Sequence, residues 1–159
     1  MHNNIQIFIH IVFSTKHRLA ILQDADRENV HAIMRAKAKE RGFTVIAINS
    51  VEDHVHILLG VMSSTCILAS AIRDMKAYSS KAINERVTNE RSFRWQSGYY
   101  ARSVNPQDVD IVKAYIDRQQ EHHTKAGTRE TASEYVPANT SPEAAARGSR
   151  DAGVREMPW

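Results

Sequence analysis

The hydrophobic positions of residues 5–13 follow the pattern of a β-strand. This stretch, IQIFIHIVF, is rich in β-branched and aromatic residues, and apolar positions alternate with polar ones over part of its length. Both properties are typical of a strand that is buried in a folded protein. A polar and basic loop follows at residues 14–18. The first predicted element is therefore a buried strand that leads into a basic loop.

An amphipathic helix is predicted next, because the apolar residues now recur at intervals typical of a helix. Either Asp24 or Asp26 is suited to cap its N-terminus. The helix should run to about Arg41, since Gly42 stands in the position where a glycine commonly ends a helix. The apolar face of this helix is predicted to contain Val30, Ile33, Met34 and Ala38.

Two strands and a second helix are predicted in the middle of the chain. Residues 44–50 and 54–61 have the composition of strands, and the short turn at residues 51–53 favours an antiparallel hairpin. A helix follows, with the Ser-Ser-Thr sequence at residues 63–65 supplying candidates for its N-cap. The residues that keep helical spacing along it are Leu68, Ala71, Ile72, Met75, Ser79, Ala82 and Ile83.

A fourth strand and a third helix complete the predicted fold. Residues 97–104 are predicted to form the strand. Asn105 and Pro106 then suit the N-cap and the first position of a helix that runs to about His122. The resulting order is β-α-β-β-α-β-α. Without its last helix this is the split βαβ sandwich of ferredoxin-like folds, an α+β fold with an antiparallel sheet and helices on one face.

The pattern divides the chain into a folded domain and a tail. From Thr124 onward the apolar periodicity is lost, and proline and glycine recur among Ser, Thr, Ala and Arg. We therefore predict one domain at residues 1–123 and a flexible or loosely docked C-terminal tail at residues 124–159. The net charge of +3 lies in the domain, because the tail holds equal numbers of acidic and basic residues. A basic surplus of this size permits a polyanionic partner without requiring one.

Composition narrows the class of protein without giving its function. The chain has 159 residues, of which 42% are hydrophobic and 25% charged, as in ordinary globular proteins. No apolar run has the length of a membrane span, so no membrane partner is expected. The single cysteine, Cys66, cannot form an internal disulfide, and the cytoplasm is therefore the expected compartment.

His54 and His56 are the first candidates for chemistry. They are two residues apart on a predicted strand, so both side chains leave the same face, while Val55 and Ile57 point to the core beneath the helices. On an exposed sheet face, two neighbouring imidazoles supply two-thirds of a metal site. The spacing alone leaves a second interpretation open, which is two ordinary surface histidines.

The third helix offers the missing parts of such a site. Tyr115 and Gln119 are four residues apart and are therefore neighbours on one helix face. The apolar stripe of Val109, Val112 and Ile116 predicts that both flank the contact between helix and sheet. An amide oxygen there suits Mg²⁺ or Mn²⁺, and a phenol beside such a metal can act as a covalent nucleophile. Alternatively, Tyr115 is a boundary tyrosine and Gln119 a solvated helix residue.

Four stretches of the sequence form a recognisable ordered set. They are HIVFSTKHR at residues 10–18, DHVHIL at residues 53–58, FRWQSGY at residues 93–99 and YIDRQQEHH at residues 115–123. Together they resemble the HUH-type single-strand tyrosine transposases of small insertion sequences, the IS200-like transposase family. The resemblance covers roughly residues 5–123.

The resemblance implies a catalytic set and a reaction. In the family, the residues matching His54, His56 and Gln119 bind a divalent metal ion, here expected to be Mg²⁺ or Mn²⁺, which polarises the scissile phosphate. Tyr115, on the C-terminal catalytic helix, would then attack phosphorus and leave a 5′-phosphotyrosine and a free 3′-hydroxyl. A second 3′-hydroxyl can reverse this step, so strands are cleaved and rejoined without ATP.

The resemblance also implies partners. Family members act on single-stranded DNA with hairpin ends and are typically homodimers, in which the tyrosine helix can pack against the histidines of the other subunit. Stacking and basic contacts would hold the DNA, and the candidates are Lys16, Arg18, Arg91, Arg94 and Trp95. Trp95 can equally be a core residue, and the basic side chains can equally be solvated. His122 and His123 are interpreted as surface residues and not as ligands.

Two other functions stay open. A replication-initiator or mobilisation nickase shares the His-hydrophobe-His and tyrosine chemistry, although a short chain without a helicase domain argues against it. A non-catalytic hairpin-DNA-binding protein derived from a transposase is the alternative from another class. It stays open because the tail departs from the pattern of the family, whose members continue with further helical and aromatic sequence. In this tail only Ser133-Glu134-Tyr135 and Trp159 faintly resemble that sequence.

Overall fold

The structure, a computed structural model, describes residues 4–86 and 92–119. Strands and helices follow one another there in the predicted order. The elements are β1 (Phe8–Ser14), α1 (Asp24–Glu40), β2 (Phe43–Ser50), β3 (His54–Val61), α2 (Leu68–Arg86), β4 (Tyr100–Val104) and α3 (Val109–Asp117). Short 3-10 turns precede α1 and α3, at Lys16–Arg18 and Pro106–Asp108.

The four strands form one antiparallel sheet in the order β2-β3-β1-β4. β1 and β3 occupy its centre, and in their register Val12 lies opposite His56 while His10 lies opposite Leu58. This strand order belongs to the split βαβ arrangement. The predicted α+β, ferredoxin-like class is confirmed.

Different helices cover the two faces of the sheet. Val55, Ile57 and Leu59 alternate with the histidines of β3 and belong to the main core, which also contains residues of α1 and α2. On the opposite face α3 packs against β2 and β3, and its Val112 and Ile116 are buried. The last helix thus covers the sheet face that carries the two histidines.

The start of α1 differs from the sequence prediction. Neither Asp24 nor Asp26 is the N-cap residue, which is Gln23, and Gln23 makes no capping side-chain hydrogen bond with the described residues. Asp26 is instead buried and pairs with Arg86 of α2 at 3.2 Å, because a buried carboxylate needs a partner. The end of the helix is as predicted: Gly42 has a φ of 80°, which favours glycine.

The start of α2 also differs, because the caps predicted at residues 63–65 form a separate turn. The Ser63 hydroxyl accepts the backbone N–H of Thr65 at 3.3 Å, and the Ser63 carbonyl accepts that of Cys66 at 3.3 Å. Hydroxyl side chains compete in this way with helix formation. The helix consequently begins at Leu68.

The first and the fourth strand begin later than predicted, and so does the third helix. β1 begins at Phe8 and β4 at Tyr100. The backbone carbonyl oxygens of residues 96–98 accept hydrogen bonds of 2.7–3.2 Å from Lys76 Nζ, so this segment turns toward α2 before β4 starts. Asn105 precedes a 3-10 turn and not α3 itself, and its side chain makes no capping bond within the described part.

Several predictions concern residues outside the described ranges. These are the domain boundary at residue 123 and the tail at residues 124–159. The third helix is predicted to run to about His122, but α3 ends at Asp117 with Arg118 as its C-cap residue. In the part of the chain that the structure describes, none of the helices has the length and apolar character that crossing a membrane requires.

Candidate active site

His54 and His56 lie side by side on the face of β3 that α3 covers. Their ring centroids are 5.0 Å apart, so the same-face placement predicted from their spacing is found. The expected exposure of this face is wrong, because only 5% of His54 and 4% of His56 is accessible to solvent. Buried imidazoles need hydrogen-bond partners, and the partners of these two rings define the site.

Asp53 orients His54. The Nδ1 atom of His54 is 2.6 Å from Oδ1 of Asp53, so Nδ1–H donates and the carboxylate accepts. Arg18 lies on the other side of this carboxylate, with its Nε 3.6 Å from Oδ2. A carboxylate in this position fixes the tautomer and the orientation of an imidazole. Nε2 is consequently the nitrogen of His54 suited to bind a metal ion.

His10 occupies the equivalent position beside His56. His10 Nε2 is 3.0 Å from His56 Nδ1, and the two rings stack with centroids 5.2 Å apart and planes inclined by 22°. His10 reaches this place from β1, where it is the diagonal neighbour of His56 on the same sheet face. Burial, with a smaller contribution from the positive charge of Arg102, lowers the pKa of His10 to about 4. The ring is therefore neutral at neutral pH.

Gln119 completes the group. It is fully buried, and its Nε2 atom is 2.6 Å from His56 Nε2. Its Oε1 atom is also buried and has no hydrogen-bond partner among the described residues. A buried, unpaired amide oxygen is unfavourable by about 1–3 kcal/mol, and a cation would supply what this oxygen lacks.

The residues therefore fit a metal ion of the type predicted. Two imidazoles and an amide oxygen form a nitrogen and oxygen donor set that Mg²⁺ or Mn²⁺ accepts. Within residues 4–86 and 92–119, no three side chains of the types His, Cys, Asp and Glu are placed to hold a metal together. The third donor predicted from the sequence, Gln119, is an amide and so lies outside these residue types.

Tyr115 lies one helical turn before Gln119. Its ring meets the ring of His56 edge-on, with centroids 5.8 Å apart, and its hydroxyl oxygen accepts a long hydrogen bond from Gln119 Nε2 at 3.5 Å. The side chain of Tyr115 is half-buried. A single chain thus brings the tyrosine beside its own His56, whereas the resemblance also allowed it to meet the histidines of another subunit.

Three of the residues predicted to contact DNA form one basic edge of the protein, beside the turn that leads to His54. Lys16, Arg18 and Arg94 are all exposed, and the backbone N–H of Lys16 donates to the carbonyl of Arg94 at 2.8 Å. The backbone N–H of Thr15 donates to the carbonyl of Asp53 at 2.8 Å, which holds this basic edge against the turn before His54. Arg91, His122 and His123 lie outside the described residues.

Trp95 corrects the remaining DNA-contact prediction. Only 8% of it is exposed, and its ring lies edge-on to Phe13 and Phe93 at 5.1 and 4.9 Å. Its indole N–H donates to the hydroxyl of Ser79 at 2.9 Å. Trp95 is a core residue, as the alternative interpretation allowed, and its faces are not open to a base.

Sequence reasoning assigned no role to His10 or Asp53. A signal was present for His10, because a lone imidazole within an apolar strand needs a buried partner. Asp53 directly precedes His54, and a carboxylate beside a candidate ligand histidine is a common arrangement. Which partner each one meets depends on the strand register, which the pattern of residues does not give.

Comparisons with known proteins agree with this fold. The family model described as "Transposase IS200 like" matches residues 3–119. The chain is similar to a candidate transposase from Deinococcus radiodurans R1, with 20% identity and a TM-score of 0.57 over 75% of this chain and 95% of that one. It is also similar to a REP-associated tyrosine transposase bound to a REP hairpin, with 14% identity and a TM-score of 0.61 over 79% of this chain and 73% of that one. Among curated protein sequences there is no match.

The two solved structures are distant in sequence, and their likeness shows the fold alone. The family match is a separate finding, and it extends from the N-terminal residues through every element of the sheet to Gln119. It therefore includes both histidines of β3 and the tyrosine helix. This chain belongs to the IS200-like transposase family.

Proposed function

We propose that this chain is a metal-dependent transposase that cleaves and rejoins single-stranded DNA through a 5′-phosphotyrosine on Tyr115. The observation that carries the proposal is the meeting of Tyr115, His56 and Gln119, with the tyrosine hydroxyl 3.5 Å from the Gln119 amide and its ring edge-on to His56. A phenol next to an imidazole, and to a buried amide oxygen that lacks a partner among the described residues, is suited to nucleophilic attack on a phosphodiester.

The ligands of the metal ion would be His54, His56 and Gln119. When bound, Mg²⁺ or Mn²⁺ stabilises negative charge on the phosphoryl oxygens during the displacement. Asp53 and His10 occupy the Nδ1 atoms of the two histidines, so Nε2 of each ring would be the ligating atom. On His56 the metal ion would replace the hydrogen bond from Gln119 Nε2. The charge of Asp53 beside His54 further favours a cation.

Tyr115 performs the covalent step. Its phenolic oxygen forms a bond to phosphorus while the bond from phosphorus to the 3′ oxygen breaks. The phenol gives up its proton, and the departing 3′ oxygen takes one, so the products are a 5′-phosphotyrosine and a free 3′-hydroxyl. The phosphodiester bond is replaced by another phosphoester, and a second 3′-hydroxyl can therefore reverse the step and join strands. An activated water would hydrolyse the bond and lose this reversibility.

The proposed substrate is single-stranded DNA with hairpin ends. The basic edge of Lys16, Arg18 and Arg94 lies beside the turn that leads to His54, where it can contact backbone phosphates. One solved relative of similar fold is bound to a REP hairpin, which supports a hairpin as the ligand of this chain too. We expect the protein to meet this DNA in the cytoplasm.

The proposal is tested by incubating the full chain with single-stranded oligonucleotides that carry the ends of its element, in Mg²⁺ or Mn²⁺. Denaturing gels should show a covalent protein–DNA adduct for the wild type and none for Tyr115→Phe. Tyr78→Phe is the matched control, because Tyr78 is an exposed tyrosine of α2, and it should form the adduct normally. An adduct in Tyr115→Phe contradicts the proposal. Hairpin binding that survives Tyr115→Phe, with no adduct from any variant, indicates a non-catalytic DNA-binding protein.

A homodimer is also proposed, on the family resemblance, and mixing two inactive variants tests how the site is shared. If Tyr115 serves the histidines of its own chain, as its position beside His56 favours, a mixture of Tyr115→Phe and His56→Ala should form no adduct. A mixture that regains activity shows that the tyrosine of one subunit works with the histidines of the other. Light scattering on the same samples measures the oligomeric state.

A further inference from the structure

A chain of hydrogen bonds runs through the buried ring of His56. On one side, Gln119 Nε2 is 2.6 Å from His56 Nε2. On the other side, His10 Nε2 is 3.0 Å from His56 Nδ1. All three side chains are at least nine-tenths buried, so their polar atoms have little access to water and must satisfy one another.

With the amide nitrogen of Gln119 facing His56 Nε2, the chemistry of the three groups gives this series of hydrogen bonds one direction. An amide nitrogen only donates, so His56 Nε2 must accept from Gln119 and carries no proton. The proton of a neutral His56 is then on Nδ1, which donates to His10 Nε2. His10 acts as the acceptor and keeps its own proton on Nδ1. The bonds therefore run from Gln119 to His56 and from His56 to His10.

We infer that His10 is a positioning residue for His56: by accepting the Nδ1–H bond, it holds His56 in the tautomer whose unprotonated Nε2 faces Gln119 and Tyr115. The part of this inference that concerns metal binding rests on the proposed function, while the part that concerns the proton does not. Stacking of the two rings at 5.2 Å adds a second restraint on the orientation of His56.

The two candidate ligands are thus positioned by partners of different kinds. His54 donates to the carboxylate of Asp53 at 2.6 Å, and the negative charge holds the proton on Nδ1 strongly. His56 donates to a neutral imidazole, which holds the proton by geometry alone. Loss of His10 should therefore alter the tautomer of His56 and leave that of His54 unchanged, so His54 serves as an internal reference in the same molecule.

The tautomers are measured by NMR correlation of ring protons with ring nitrogens, on metal-free full chain that carries ¹⁵N-labelled histidine, at neutral pH. The wild type should show His56 with Nδ1 protonated and Nε2 unprotonated. His10→Phe keeps a ring of similar size but has no acceptor, and His56 should shift toward the Nε2–H form. His10→Gln can place an amide oxygen near the former Nε2 position, and it should restore the wild-type spectrum. His31→Gln is the matched control. His31 forms a hydrogen bond with Ser50 on the opposite side of the sheet, so this substitution should leave the tautomer of His56 unchanged.

Mn²⁺ binding provides the second measurement, by calorimetry on the same proteins. Loss of an outer partner of a metal-binding histidine weakens binding about 10- to 100-fold, and we expect a loss in this range for His10→Phe. His10→Gln should bind within about threefold of the wild type. Circular dichroism verifies that each variant is folded.

The outcomes separate this inference from the proposed function. A wild-type His56 that is protonated on Nε2 overturns the inference, and this result needs no variant to fold. An unchanged His56 tautomer together with unchanged Mn²⁺ affinity in folded His10→Phe overturns it as well, even if the Tyr115 adduct forms. Conversely, a wild type that binds no Mn²⁺ and forms no adduct contradicts the proposed function, while the spectrum of His56 still decides whether His10 sets its tautomer.

Discussion

Asn49 of β2 donates its side-chain amide to the backbone carbonyl oxygen of Ile116 in α3, over 2.9 Å. The same amide reaches the carbonyl of Asp117 at 3.1 Å. Asn49 also lies opposite His56 in the register of β2 and β3. One side chain therefore connects the strand beside the histidines with the helix that carries Tyr115, and it helps to set the separation between them.

Asn49→Ala should lower the free energy of unfolding by about 1–2 kcal/mol, because two hydrogen bonds to backbone carbonyls are lost. It should also slow adduct formation by the fully folded protein, since the end of α3 is less firmly held. Urea unfolding and single-turnover adduct assays measure the two effects. Arg41→Ala is the control, because it removes an ion pair between the C-cap residue of α1 and Asp74 of α2 and should leave the adduct rate unchanged. Equal rates for Asn49→Ala and the wild type contradict this role.

Gln119→Leu should separate metal binding from folding. The substitution removes the donor to His56, but it also removes a buried oxygen that lacks a partner in the described part of the chain. These effects oppose each other, so the free energy of unfolding without metal should stay within about 1 kcal/mol of the wild type. Mn²⁺ affinity should fall about tenfold or more, as expected for loss of a ligand.

Calorimetry and thermal unfolding of metal-free protein check this pair of expectations. Gln107→Leu is the control, because Gln107 is an exposed glutamine in the 3-10 turn before α3. If Gln119→Leu binds Mn²⁺ as tightly as the wild type, Gln119 is not a ligand.

His31 should make the fold less stable in mild acid. Its Nε2 atom is 2.8 Å from the hydroxyl of Ser50. Burial, together with the positive charges of Arg35 and Arg27, lowers its pKa from 6.5 to about 4. Between these two values the unfolded chain binds a proton that the folded protein does not, so stability is lost as the pH falls through this window. With allowance for solvent screening, the loss is about 1 kcal/mol.

His31→Gln should reduce this acid sensitivity, because glutamine does not titrate. The measurement is the urea midpoint of wild type and variant at neutral pH and at a pH of about 4.5. The difference between the two pH values should be smaller for His31→Gln. It should not vanish, because burial lowers the pKa of His10 in the same direction. Identical differences in the two proteins would show that His31 titrates normally in the fold.

Lys16→Ala and Arg94→Ala should each weaken binding of a hairpin oligonucleotide and reduce its dependence on salt. Each phosphate contact on a single strand contributes about 0.7 to the slope of the logarithm of affinity against that of salt concentration. Fluorescence anisotropy at several salt concentrations measures this slope. Lys39→Ala, at an exposed position of α1, should leave it unchanged. If all three variants keep the wild-type slope, the DNA does not follow the basic edge.

The local part of the candidate site could be predicted from the sequence. Alternation along a strand places His54 and His56 on one face, and helical spacing makes Tyr115 and Gln119 neighbours, because both relations depend only on residues close in the chain. The burial of the histidines could not be predicted in the same way. It depends on α3 packing across the face of β3, which is a contact between distant parts of the sequence.

The capping predictions failed for a related physical reason. Asp26 has the right residue type for a cap, but its carboxylate pairs with Arg86, which is 60 residues away. Trp95 is similar: its aromatic ring suits base stacking, yet the hydroxyl of Ser79 and two phenylalanine rings hold it in the core. Residue type gives the chemistry that a side chain can perform, and the tertiary contacts select which chemistry it does perform.

The hydrogen bonds that assemble the site join residues 46 and 63 positions apart, from His10 to His56 and from His56 to Gln119. Contacts of such long range close late in folding. Because synthesis proceeds from the N-terminus, a chain that is still emerging from the ribosome contains both histidines well before it contains Tyr115. For the proposed transposase, strand cleavage becomes possible only when translation has passed residue 119, so interrupted synthesis yields fragments that cannot cut DNA.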